Sequence, residues 1–186
     1  RVLNMIRTLS LGLLLLALPC SFLTAQEKKP KTAKLDPAMD VNRAAKEGLD
    51  WYDVTTWGVE GRILPEQPRE RWFDRLPSSA NGQVTSNVWN LSRDSSGMMV
   101  RFRTDSPSIH VHYQLMDGNL AMPHMPATGV SGVDLYARDS DGRWRWVQVA
   151  RPSQQEVTAE LITGLAPGER EYAMYFPLYN GVESLN

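Results

Sequence analysis

Cysteine is almost missing from this chain: Cys20 is the only one in 186 residues. It lies inside an N-terminal apolar segment, so a product trimmed after Ala25 has no thiol at all. Disulfides, zinc–thiolate centres and cysteine nucleophiles are excluded together for such a product. The formal net charge is only −1, and basic residues are interspersed with acids, which leaves no footprint for nucleic acid. No apolar run reaches the roughly 20 residues that a membrane-spanning helix needs. Glycine-rich phosphate loops are absent. So is the Gly-x-Ser-x-Gly elbow that exposes a serine nucleophile between a strand and a helix. Carboxylates are scattered, with no pair placed for glycosidic acid–base work. No cofactor is expected.

What the first residues do contain is an export signal. Met5-Ile6-Arg7 opens it, Leu9 to Leu18 is apolar apart from Ser10 and Gly12, and the small-residue stretch ends at Leu23-Thr24-Ala25. A basic start, an apolar middle of this length and an alanine at the cut describe a secretory signal peptide over residues 1–25. Localisation in the bacterial periplasm or outside the cell follows. Pro19 precedes Cys20, a poor fit to a lipid-attachment site, so anchoring through Cys20 is not expected. Residues 26–48 read as a Lys-rich linker with a short helix. Asp36-Pro37 supplies its N-cap and first position, Ala38 to Lys46 its body and Gly48 its stop.

Residues 49–186 have the length of one domain, and their pattern is that of a sheet. Ile109, Val111, Tyr113 and Leu115 alternate with His110, His112, Gln114 and Met116, and Met98, Val100 and Phe102 alternate with Met99, Arg101 and Arg103. Such period-two patterning makes one buried and one wetter face. Further strands are expected at Val133–Ala137, around Trp144–Val149, at Val157–Leu161 and at Tyr172–Phe176. The last of these, Tyr172–Phe176, closes the series. The aromatic and β-branched run Trp51–Val59 also reads as strand. Arg93–Gly97, Arg138–Gly142 and Gly164–Glu169 read as turns between strands, Asp and Ser satisfying the backbone while Gly takes positive φ. Ile63–Ser79 reads as irregular, anchored by Trp72, Phe73 and Leu76. The sum is an all-β, antiparallel β-sandwich or jelly roll, with most of the six tryptophans assigned to its core.

Three constellations are candidates for chemistry. His110 and His112 share a face of one strand, and with His124 from the Met122–Pro126 loop they make a conceivable three-histidine zinc site. The bland alternative, two polar residues on a wet face and an unrelated loop histidine, carries more weight, and no metal is expected. Trp51, Trp57, Trp89 and the Trp144/Trp146 pair are candidates for stacking on a sugar ring if they are exposed, Trp51 and Trp57 foremost. Arg93-Asp94-Ser95-Ser96 superficially matches a Gly-Asp-Ser block but reads as a turn.

Several segments, taken in order, resemble one family. They are Glu60-Gly61-Arg62, Phe73-Asp74-Arg75-Leu76-Pro77, Ser95 to Phe102, Met122 to Met125, Ser131 to Tyr136, and Leu178 to Glu183. Gly132-Val133-Asp134-Leu135-Tyr136 fits the Gly-x-Asp-Leu-Tyr signature of the N-terminal domain found ahead of bacterial SGNH-type esterases. The resemblance implies a β-sandwich joined to a downstream SGNH hydrolase domain, its intramolecular partner, which holds the serine, the oxyanion donors and the Asp–His pair. Together they would remove acyl groups, often acetyl, from carbohydrates or small esters. None of the hydrolase blocks has a matching position here, so no catalytic residue carries over. Gly132, Asp134 and Tyr136 are the motif positions: Gly132 for a close backbone approach, Asp134 and Tyr136 for bonds to neighbouring strands or for a partner surface. The alternative reading is a free-standing carbohydrate-binding module.

Overall fold

A computed structural model describes residues 48–186. The expected leader and nearly all of the linker with its helix lie outside the described residues. Seven strands form two sheets. They are β1 (Met99–Thr104), β2 (Ser108–Leu115), β3 (Asp134–Arg138), β4 (Trp144–Val149), β5 (Glu156–Thr163), β6 (Arg170–Tyr175) and β7 (Val182–Leu185). One sheet runs β1-β6-β3-β4 and the other β5-β2-β7, and every strand pair is antiparallel. The all-β sandwich reading stands.

The alternating residues explain the layers. From β2, Ile109, Val111, Tyr113 and Leu115 are buried, and from the facing sheet so are Val100, Leu135, Ala137, Tyr172 and Met174. Each large aliphatic side chain moved inside contributes about 1.5–3 kcal/mol. Val182 and Leu185 complete the inner face of the three-stranded sheet. They belong to a strand that sequence patterning missed, because Gly181 and Glu183 interrupt the apolar run on either side of Val182.

Several local expectations are corrected. Trp51–Val59 is not a strand. Asp53 caps a short 3-10 turn over Val54–Thr56: its carboxylate accepts from the Thr55 N–H at 2.9 Å, and the Thr56 hydroxyl donates to its carbonyl at 2.7 Å. Such local bonds offer the backbone an alternative to a ladder, and only Glu60 pairs with the sheet, opposite Met99. Arg93–Gly97 does not join two strands. It follows a helix, α1 (Ser86–Ser92), capped by Thr85, whose seven residues bury only Trp89 and Ser92 and so carry almost no helical period. Gly164–Glu169 is not a hairpin either, since β5 and β6 belong to different sheets. The Arg138–Gly142 turn is a hairpin, with Gly142 at φ 77° and the Asp139 carboxylate accepting from the N–H groups of Asp141 and Arg143.

The tryptophans are also displaced from their expected place. Trp89 is buried, Trp72 packs against the edge of the core, and Trp51, Trp57, Trp144 and Trp146 are 40–53% exposed. Aliphatic and tyrosine side chains fill the inter-sheet space, and an indole outside it can keep its N–H bonded or wet. β4 is therefore open on its Trp144–Trp146 face.

Ile63–Ser79 is ordered without a ladder because arginines satisfy its carbonyls. Arg69 donates to the Asp74 and Gln67 carbonyls at 2.9 and 2.8 Å. Arg62 donates to that of Trp72 at 3.1 Å and lies 4.1 Å over its ring. The segment delivers Phe73 to the core, where it meets Phe176 edge-on at 5.7 Å.

Candidate functional site

The motif strand begins where backbone crowds backbone. A Cβ on Gly132 would lie 2.2 Å from the Thr128 carbonyl oxygen and 2.9 Å from that of Ala150, so no larger residue fits. Thr128 belongs to α2 (Ala127–Val130), a single turn that ends against the start of β3.

Next to it lies a buried polar knot. Asn180 is 1% exposed and Ser131 and Ser95 are fully buried. The Asn180 amide donates to the Asp117 carbonyl at 2.9 Å and to the Ser131 hydroxyl at 3.0 Å, and its oxygen accepts from the Asp117 N–H at 3.0 Å. The Ser95 N–H donates to the Asn180 carbonyl, while the Ser95 hydroxyl accepts from Val182 N–H, each at 3.0 Å. Tyr113 reaches across the core to donate to the Ser131 carbonyl at 3.0 Å, and burial pushes its phenol pKa up. The knot joins the α1–β1 turn, the loop after β2, the α2–β3 junction and the β6–β7 loop. Every group in it is satisfied inside the protein, which is the chemistry of loop fixation and not of turnover. Arg93-Asp94-Ser95-Ser96 is part of this fixation. The Ser95 hydroxyl has no base within its bonding set.

Asp134 and Tyr136 point the other way, onto the outer face of the four-stranded sheet. The Asp134 carboxylate accepts from the Trp146 indole N–H at 2.8 Å, and Tyr136 meets Tyr175 edge-on at 5.5 Å. Burial, then Asp134, then Tyr175 raise the pKa of the Tyr136 phenol. Trp146 is 53% and Tyr175 41% exposed, and Met99 stands beside Tyr175 across the β1–β6 pair. Ion pairs border this apolar centre. Arg138 and Arg103 meet Glu171 at 3.0 and 3.8 Å, Arg103 also meets Glu169 at 3.2 Å, and Arg101 meets Glu60 at 2.5 Å. An aromatic centre with a charged, self-neutralised rim is the anatomy of a protein-binding face.

The remaining candidates fall elsewhere. His110 and His112 lie on the outer face of the three-stranded sheet, where His112 Nε2 is 3.2 Å from Glu156 Oε1 and Trp51 packs edge-on at 5.8 Å. His124 is exposed between Met122 and Met125, which pair with each other. No three His, Cys, Asp or Glu side chains converge as a metal site among the described residues, so the three histidines are not brought together. Trp57 is parted from Trp51. It packs on Phe102 at 5.5 Å and beside Tyr52 at 6.0 Å, in an open cleft of about 520 Å³ with Asp50, Thr104, Ser106 and Ser108. Trp146, a stacking candidate in the sequence together with Trp144, has its indole N–H held by Asp134. Tyr175 and Asn180 escaped the sequence reading as site residues, because their roles depend on tertiary neighbours.

The fold defines a two-sheet, antiparallel β-sandwich module. Residues 49–186 match the family model GxDLY, described as the N-terminus of SGNH-hydrolase-type esterases, and the chain belongs to that family. Among solved structures it is similar to a protein from Bacteroides ovatus described as a GDSL-like lipase. The identity is 25% and the TM-score 0.65, with 72% of this chain covered. The match spans only 38% of that chain. No curated protein matches. No helix among the described residues is long and apolar enough to cross a membrane.

Proposed function

We propose that this chain is the accessory N-terminal module of an exported SGNH-type esterase, and that the Asp134–Tyr136–Trp146–Tyr175 face docks on the hydrolase domain. The joined enzyme would remove acyl groups, acetyl in particular, from carbohydrates or small esters. The observation that carries the reading is the position of two motif residues: both Asp134 and Tyr136 build an exposed aromatic face instead of a core. Family membership supplies the partner, and the leader-like residues 1–25 support export.

The module's own chemistry supports an absence of turnover, since the buried Ser95 and Ser131 hydroxyls are occupied in holding loops. Two measurements test the reading. The full chain alone should hydrolyse neither p-nitrophenyl acetate nor acetylated xylan above the blank, and measurable turnover would refute the non-catalytic role. An SGNH hydrolase domain encoded in frame after such a module, added in trans, should bind the chain in sedimentation runs. Trp146→Ala should weaken that binding by about 2 kcal/mol or more, as a central aromatic anchor does. Unchanged binding would remove this face from the docking role.

A further inference from the structure

We infer that the cleft walled by Tyr52, Trp57 and Phe102 is a binding site for a neutral pyranose unit of a glycan. The inference rests on the carbohydrate part of the reading above and assigns it a place beside the docking face, whose bordering Arg101 and Arg103 also line the cleft. Three observations carry it.

The first is an aromatic column running from core to surface. Tyr172, fully buried, stacks on Phe102 at 5.5 Å and 22°. Phe102 supports Trp57 at 5.5 Å, and Trp57 supports Tyr52 at 6.0 Å. The two outer rings are 43% and 58% exposed. Flat rings held from behind present their faces without further ordering, which is what stacking on the C–H face of a sugar requires.

The second is the polar complement. The β1–β2 turn is fixed internally, the Ser106 N–H donating to the Thr104 hydroxyl at 3.0 Å and the Ser106 hydroxyl to the Ser108 carbonyl at 2.8 Å. Among the described residues, no protein group bonds the Asp50 carboxylate, the Tyr52 hydroxyl or the Ser108 hydroxyl. All three line or rim the same cleft as the rings, and they offer a sugar hydroxyl both acceptors and donors.

The third is charge. The two arginines of the cleft are already matched, Arg101 by Glu60 and Arg103 by Glu169 and Glu171. Asp50 adds an unmatched negative charge. Uronates and sulfated glycans would meet repulsion without a free cation, so the site selects a neutral ring. The cleft is open to solvent, unlike the closed apolar channel that an acyl chain prefers. On the docking face, by contrast, the Trp146 N–H is already held by Asp134.

The test is calorimetric titration of the full chain with cellohexaose, xylohexaose, mannohexaose and hexagalacturonic acid, followed in parallel by tryptophan fluorescence. At least one neutral hexasaccharide should bind with a Kd between about 10 μM and 1 mM. Trp57→Ala should weaken it at least about tenfold, Tyr52→Ala should weaken it less, and Trp146→Ala should leave it unchanged. The uronate should bind at least about tenfold more weakly than the best neutral sugar. Tyr52 is the outermost wall, so its variant keeps the test decisive even if the Trp57 variant unfolds. The inference is overturned if no neutral sugar binds below about 10 mM, if binding survives both cleft variants, if Trp146→Ala abolishes it, or if the uronate is preferred. Sugar binding lost with docking intact overturns the cleft alone. Docking lost with sugar binding intact overturns only the assignment of the aromatic face.

Discussion

The indole N–H of Trp146 on β4 donates to the Asp134 carboxylate on β3 at 2.8 Å. This bond fixes the orientation of a ring that is half exposed. It also separates two roles that a conserved-looking motif can merge: Gly132 is required by the fold, whereas Asp134 aims a surface side chain.

Asp134→Ala should therefore cost about 1 kcal/mol of stability, the value of one partly exposed hydrogen bond, while weakening docking of the hydrolase domain by more. Urea unfolding and sedimentation on the same variant check the two effects. A stability loss of several kcal/mol with unchanged docking would show that Asp134 serves the fold.

Asn180→Ala should be far more damaging. It removes three hydrogen bonds and leaves the buried Ser131 hydroxyl and the partly buried Asp117 N–H short of partners. Each orphaned group costs about 1–3 kcal/mol, so a loss of roughly 3 kcal/mol or more is expected in urea unfolding.

Gly132→Ala should fail for a steric reason. The added methyl would sit 2.2 Å from one backbone carbonyl oxygen and 2.9 Å from another, and neither can retreat as a side chain could. Destabilisation of about 3 kcal/mol or more is expected from such overpacking. Thermal denaturation measures it, and a fully stable variant would contradict the backbone geometry.

Alkaline pH should lower stability through Tyr113. Its phenol is pushed up from the ordinary tyrosine value of 10.0 by burial. Below that value it is protonated whether folded or unfolded, and its contribution is fully present. Above it the unfolded chain releases a proton that the folded chain retains, so stability falls as pH rises toward the folded pKa. Tyr113→Phe should lessen that slope above about pH 10, measured as urea midpoints against pH.

Acid acts through other groups. The Arg145 guanidinium beside Asp139 and the Arg138 guanidinium beside Glu171 hold both carboxyls below their ordinary range. Stability from these pairs is present above the unfolded carboxylate values and is lost as pH falls through the folded ones. Arg138→Ala should reduce that acid-side loss in the same urea series.

The sandwich was legible because its strands alternate strictly, and Val111, Tyr113 and Leu135 sit where period two puts them. Two of the departures, the 3-10 turn and α1, share one cause. Where Asp53 or Thr85 can bond the next few N–H groups, local capping overrides strand or loop expectation, and no window of hydrophobicity registers it. The tryptophans misled for a different reason: an indole satisfies both a core and a surface, and only the neighbours decide. The motif was readable as a string, but the opposite destinations of Gly132 and Asp134 depend on what Thr128, Ala150 and Trp146 bring from elsewhere in the chain.

The position of β7 has a consequence for synthesis. β2 becomes a central strand only when Val182–Leu185 pair along its second edge, and the Ser95 hydroxyl gains its bond to Val182 N–H across 87 residues. Contacts of such sequence separation form late. A ribosome paused before residue 182 therefore holds a nascent chain whose β2 presents a bare hydrogen-bonding edge between apolar side chains, a template for pairing with other chains. A holdase that covers this edge until residue 185 has emerged should raise the yield of the module without changing its final stability.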